Sequence, residues 1–299
     1  MANANESVDL LLQGGLFTGN LYEVYGPSGD GKTQLCLTIA CNVAHYLKQH
    51  VHYIDTKFDF SGKRTQAMLE ARACCIYRTC ARIRVEGGFK TATSTPDRDS
   101  NLDLTVIDSP FFCPNDALEK AVIKRPVTKI PVEQETGAVM ERIRVTRVKD
   151  VYETHQFLHQ LKGILQDGQD AESSVRLVII DALPSLFLPF LGESHNDGLG
   201  LMNHLVNTIK YLSLEYHVVF LVVNIALWSS NEDALENPRE MSAGIRPALG
   251  HFWLHVPNTR LLIQKKTPQG DARTVTVTKS TSVALGQSCT VTISAKGVV

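Results

Sequence analysis

Eight consecutive residues, Gly26-Pro27-Ser28-Gly29-Asp30-Gly31-Lys32-Thr33, satisfy the pattern G-x-x-x-x-G-K-[ST] at every position. The chemistry that such a run suits is phosphate binding. Glycines let a loop curl until successive backbone N–H groups converge on an anion. A helix that starts directly after the loop adds unpaired N–H donors and the positive end of its dipole. The lysine supplies a cation for the β- and γ-phosphates, and the threonine hydroxyl is a hard oxygen donor suited to Mg2+. Nucleotide-binding roles are therefore expected at Gly26, Pro27, Ser28, Gly29, Asp30, Gly31, Lys32 and Thr33, with ATP and Mg2+ as the ligands.

Two more polar residues end apolar runs. Asp181 follows Leu177-Val178-Ile179-Ile180, and Asn224 follows Val218 to Val223. In a parallel sheet both would be delivered to the loop end of their strands. With the glycine-rich loop upstream, Asp181 is read as the second Mg2+ residue beside Thr33. Asn224 is either a sensor of the terminal phosphate or an ordinary strand-end cap.

These residues need a scaffold, and the chain supplies an alternating one. Leu21–Tyr25 reads as a strand and Thr33–Leu47 as a helix, with Leu35, Ile39, Val43 and Leu47 at helical spacing. A strand follows at Val51–Ile54, then a helix at Arg64–Ala73. The rhythm returns with a strand at Arg142–Val145, a helix at Val151–Leu165, the run ending at Asp181, a helix at Leu199–Leu214 and the run ending at Asn224. Three strands are expected near the end, at Arg260–Gln264, Thr274–Lys279 and Cys289–Ile293. Such alternation predicts an α/β fold: one ATP-binding core over residues 1–299, with a mostly parallel central sheet, flanking helices and a strand-rich C-terminal part.

Residues 74–140 interrupt the rhythm. Gly87-Gly88, a Ser/Thr/Asp/Pro-rich run from Thr91 to Asn101, and prolines at 110, 114, 126 and 131 deny long helices. A disordered insertion is expected there, or a segment foreign to the mature protein.

The bulk numbers exclude some partners. Lys and Arg total 30 against 31 Asp and Glu, so charge alone does not hold this chain on nucleic acid. The run Val218–Val223 is too short to span a bilayer. Seven cysteines, an odd number, and a polar start from Met1 to Asp9 predict an intracellular chain with free thiols. Cys74, Cys75, Cys80 and Cys113 lack the paired spacing of zinc knuckles, so zinc is not expected.

Several motifs together resemble one family. Gly14-Gly15-Leu16-Phe17-Thr18-Gly19, Tyr22-Glu23-Val24-Tyr25-Gly26, Gly31 to Cys36 and Tyr53-Ile54-Asp55-Thr56 are similar to the core of RecA-like eukaryotic DNA-repair recombinases. Asn42-Val43-Ala44-His45, Arg246-Pro247-Ala248-Leu249-Gly250, Trp253 and Val256 to Arg260 most resemble the D-type paralogue branch. The XRCC-type branch shares the Ile-Asp-Thr strand end. The resemblance covers residues 7–73 and 141–297. It implies a RecA-like P-loop core in an ATP-binding recombinase paralogue that assists homologous-recombination repair in the nucleus. The implied partners are other paralogues of the family and single-stranded or branched DNA shared with them, without a membrane. A standalone P-loop ATPase or kinase with another substrate is the alternative.

The chain departs from the family pattern in three places. Where active members carry the Glu that activates water, directly after Ile-Asp-Thr, this chain has Lys57. A lysine is donor-only near neutral pH, so ATP binding with slow hydrolysis is expected, whether Lys57 faces solvent or not. Asp59 is a possible replacement base. The family's N-terminal helical DNA-binding domain is expected to be absent, and Phe89-Lys90-Thr91-Ala92 matches its Phe-x-x-Ala docking motif by chance. Finally, the two loops that would line DNA, 183–198 and 226–246, are poor in cations. The first holds the apolar group Leu183, Leu186, Phe187, Leu188, Phe190 and Leu191, read as core or as a docking face, and the second has Trp228 as its aromatic.

Overall fold

The computed structural model describes residues 4–73, 132–167, 175–190, 195–228 and 244–299. Helix α1 (Ala4–Leu11) precedes strand β1 (Leu21–Tyr25), helix α2 (Lys32–Tyr46), β2 (His50–Asp55) and α3 (Gly62–Ala73). Next come α4 (Val132–Glu141), β3 (Ile143–Arg147), α5 (Val151–Asp167) and β4 (Val175–Asp181). They are followed by α6 (Leu183–Phe187), α7 (His195–Glu215), β5 (Val219–Val223), β6 (Ala226–Trp228) and β7 (Ile245–Pro247). The chain closes with α8 (Gly250–Leu254), β8 (Thr259–Lys265), β9 (Ala272–Lys279), β10 (Ser288–Ser294) and β11 (Gly297–Val298).

Nine strands form one sheet in the order β11-β10-β9-β8-β1-β5-β4-β2-β3, and β6 and β7 form a separate pair. From β8 to β3 all pairings are parallel; from β8 to β11 they are antiparallel. The residue pattern explains the division. β1 and β5 are buried at every position, as strands covered on both faces must be. β9 alternates between buried and half-buried positions, as a strand covered on one face does.

Side chains leave successive strand positions on opposite faces, so each central strand feeds two cores. Val24, Tyr53, Ile179 and Leu221 pack with Leu35, Ala40 and Val43 of α2. Leu21, Ile54, Ile180 and Phe220 pack with Leu158 and Leu161 of α5 and Leu205 and Ile209 of α7. The parallel strands all end at one edge. There Asp55 of β2 lies in register with Asp181 of β4, and the edge carries the turn into α2. Carboxyl ends of parallel strands are where open α/β sheets bind ligands.

The predicted strands and helices occur, with boundaries shifted by a few residues. The structure adds α1, whose Val8 and Leu11 at helical spacing are buried with Leu12 under an otherwise polar sequence. It also corrects one boundary. Residues 132–140, expected inside the insertion, belong to α4, which packs on α2 and α3 and buries Thr136 and Val139. The proline punctuation stops at Pro131, which frees the following residues to be helical. Residues 74–131, with four of the cysteines and the Phe-x-x-Ala match, lie outside the described residues. Leu183, Leu186 and Phe187 are core, which answers the docking-face alternative for those three. Among the described residues, no helix is long and apolar enough to cross a membrane.

Candidate nucleotide-binding site

The loop from Gly26 to Gly31 is shaped by what surrounds it. A Cβ on Gly26 would sit 2.1 Å from the carbonyl oxygen of Ile263, so only glycine lets the loop leave β1 against the backbone of β8. Gly31 caps α2 at φ 99°, a left-handed conformation that favours glycine, and no side chain bonds the helix N-terminus. Asp30 turns its carboxylate away from the loop centre. It accepts the Lys265 backbone N–H at 3.2 Å, while Arg273 Nε donates to the Asp30 carbonyl at 3.1 Å. The side chain of Asp30 thus ties the loop to β8 and its carbonyl ties it to β9, which leaves its backbone N–H for a phosphate. Lys32 is buried and curls back on the loop, donating to the Gly26 and Pro27 carbonyls at 2.7 and 2.6 Å. Burial lowers its pKa, and the neighbouring Lys57 ammonium adds to the effect.

Asp181 is fully buried and collects three donors. Oδ2 accepts the Thr33 hydroxyl at 2.6 Å and the Tyr53 hydroxyl at 2.7 Å. Oδ1 accepts the Lys57 ammonium at 2.8 Å. The Thr33–Asp181 pair expected from the sequence is therefore formed, from residues 148 positions apart. A hydroxyl and a carboxylate are the hard oxygen donors that Mg2+ takes, so the pair fits that ion, with Asp181 shared with Lys57.

Lys57 does not simply face solvent. The fully buried Asp55 carboxylate accepts the backbone N–H groups of Lys57 and Asp59 through Oδ1, both at 3.3 Å, and that of Phe60 through Oδ2 at 3.1 Å. This Asx-type turn after β2 fixes the segment that carries Lys57. Asp59 lies on the same turn; burial raises its pKa, and the Asp181 charge raises it further. Sequence reasoning missed Tyr53. Its signal was the strand alternation that points residue 53 and the Asp181 partner face toward α2, visible only once β2 and β4 are paired.

Asn224 departs from the sensor expectation. Its amide gives one hydrogen to Glu23 Oε1 at 2.6 Å and the other to the Ala248 carbonyl at 3.1 Å. No amide hydrogen is left for a phosphate in this arrangement, and Oδ1 accepts the Ile225 N–H at 2.7 Å. Asn224 instead joins a buried cluster in which Glu23 also accepts the Trp253 indole N–H at 2.7 Å and the Arg260 guanidinium.

The model of the family described as Rad51 matches residues 1–74 and 127–299. The chain belongs to the Rad51 family. The residues left unmatched, 75–126, fall inside the expected insertion. The DNA repair protein RAD51 homolog 4 of Bos taurus is 29% identical over 97% of this chain and 70% of its own length. Its counterpart from Mus musculus is 28% identical over 92% of the chain, which spans 64% of that protein. The DNA repair and recombination protein RadB of Pyrococcus abyssi is 24% identical, with 81% and 73% covered. Rad51 proteins are a nucleotide-binding, RecA-like family.

The two segments that resemble the family's DNA loops differ here. The first starts with α6, whose Leu183, Leu186 and Phe187 are spent on the core. The ends of the second pair as β6 and β7, with Trp228 opposite Ile245. Trp228 is exposed at the mouth of that hairpin.

Proposed function

We propose that this chain is an ATP-binding recombinase paralogue, working in the nucleus as one subunit of a paralogue complex that assists homologous-recombination repair. One observation carries the ATP reading. Lys32, Thr33 and Asp181 meet at the uncapped N-terminus of α2, beside a loop in which Gly26 and Gly31 leave the backbone bare. The α2 N–H groups and the loop backbone bind the phosphates. Lys32 exchanges its two loop carbonyls for phosphate oxygens, which is favourable because the charge on them is greater. Thr33 and Asp181 are the residues that would hold Mg2+, whose role when bound is to neutralise charge on the β- and γ-phosphates.

Hydrolysis is slow in this reading. The side chain at position 57 is an ammonium held on Asp181, so no base stands there to orient and deprotonate water. Among the described residues, Trp228 on the β6–β7 hairpin is an exposed aromatic suited to stack on a base of single-stranded DNA. The names of the relatives, DNA repair protein and DNA repair and recombination protein, support the cellular role.

The test is equilibrium binding of a fluorescent ATP analogue. Lys32→Ala is expected to weaken binding at least about tenfold, with the fold intact by circular dichroism. Unchanged affinity would remove the loop from the nucleotide site. Tagged chain should co-purify with other Rad51-family subunits, whereas a solitary chain with brisk turnover would favour the standalone ATPase.

A further inference from the structure

Asp181 is a carboxylate without solvent exposure, and such a group needs a compensating positive charge. The Thr33 and Tyr53 hydroxyls supply dipoles only. The charge comes from Lys57, whose Nζ lies 2.8 Å from Asp181 Oδ1. Lys57 is not a wandering surface residue that happens to touch an acid. Its backbone is fixed by the Asp55 carboxylate, which accepts three backbone N–H groups of the turn, from Lys57, Asp59 and Phe60. Phe58 adopts φ 62°, the left-handed bend that completes this turn.

The phosphate site therefore has Lys57 as a cation in addition to the loop's own Lys32, while Arg273 and Lys265 stand against the loop at Asp30. A P-loop site ordinarily offers one lysine and draws its remaining positive charge from Mg2+. A divalent ion on Asp181 would also have to sit beside the Lys57 ammonium, and a doubly charged neighbour doubles that repulsion.

We propose that the Lys57 ammonium, seated on Asp181, is a built-in counter-cation for the bound triphosphate, so that this chain binds ATP with little dependence on Mg2+. The inference rests on the nucleotide-binding reading given above. Lys57 is a third exposed and gives Asp181 one of its three N–H donors, so the others can meet an arriving phosphate while the ammonium stays on the carboxylate. The position that lost the water-activating carboxylate has thereby gained a charge that serves binding.

The experiment titrates the whole chain with a fluorescent ATP analogue in buffers containing Mg2+ or EDTA. The parent's affinities are expected to agree within about threefold. Lys57→Met removes the charge and keeps the stem, and its affinity should fall more than about tenfold on moving from Mg2+ to EDTA. Lys57→Arg keeps the charge and should behave as the parent. Melting curves without nucleotide give an independent readout: Mg2+ alone should raise the Tm of Lys57→Met and leave the parent's unchanged. A parent that binds only with Mg2+ overturns the inference and leaves the nucleotide site standing, as does a Lys57→Met chain that binds equally well in both buffers. A parent that binds in neither buffer overturns the nucleotide-binding reading itself, and this inference with it.

Discussion

Glu23 and Asp181 are both fully buried carboxylates on the central strands, one on β1 and one on β4, yet they are compensated in opposite ways. Glu23 is enclosed. Its cation, Arg260, comes from the adjacent strand in register with it, is itself buried and holds one carboxylate oxygen, and Asn224 and Trp253 donate to the other. Arg260 also donates to the Leu254 carbonyl at 3.1 Å, so its guanidinium is committed on two sides. Asp181 is held by groups that can let go: two hydroxyls and an ammonium on a partly exposed turn. The enclosed cluster locks β1, β5, β8 and α8 to one another. The open one keeps its counter-charge on a side chain that solvent can reach.

The largest effect is expected where the enclosed cluster is broken. Arg260→Met leaves Glu23 charged and uncompensated in the core and should cost about 3–5 kcal/mol in chemical denaturation. Glu23→Leu added to it should recover much of that loss, because an apolar pair of similar volume needs no compensation. If Arg260→Met cost no more than an exposed arginine change, the cluster would not be structural.

Breaking the open cluster should change chemistry more than stability. Lys57→Glu puts a carboxylate at the position where the resemblance implies a base. Phosphate release in Mg2+ should rise by about 10²-fold. A parent that already hydrolyses ATP briskly, or a variant with unchanged turnover alone and with its partner subunits, would count against the base argument. A smaller effect is expected from Tyr53→Phe, which removes one donor from Asp181. It should destabilise the chain by about 1 kcal/mol, with little change at the Glu23 cluster.

The smallest effect is expected from removing residues 75–126, which should leave both clusters, the melting temperature and ATP-analogue binding close to the parent's. Extending the deletion to residue 139 takes most of α4 and the buried Val139 with it. That should cost roughly 2 kcal/mol or more, since a buried valine and its helix are lost from the core. Equal stability of the two deletions would return residues 132–140 to the insertion.

Much of this protein is legible in its sequence because the signals are local. The eight residues from Gly26 to Thr33 name a phosphate chemistry, since loop curvature, a helix start and two donor side chains are all adjacent in the chain. The apolar runs before Asp55, Asp181 and Asn224 declare buried parallel strands, because a strand covered on both faces needs no polar alternation. Residue 57 is a lysine at the position where the resemblance implies a base.

Tertiary structure decided what those residues do to one another. Pairing β2 with β4 set Tyr53 and Lys57 on Asp181, and packing β8 against the loop made Gly26 obligatory. Pairing β1 with β8 matched Glu23 to Arg260 across 237 positions, and pairing β1 with β5 drew Asn224 into that cluster. Sequence spacing carries the period of a helix or strand, but not which distant strand lies alongside. The partner of a buried charge is fixed by that pairing alone.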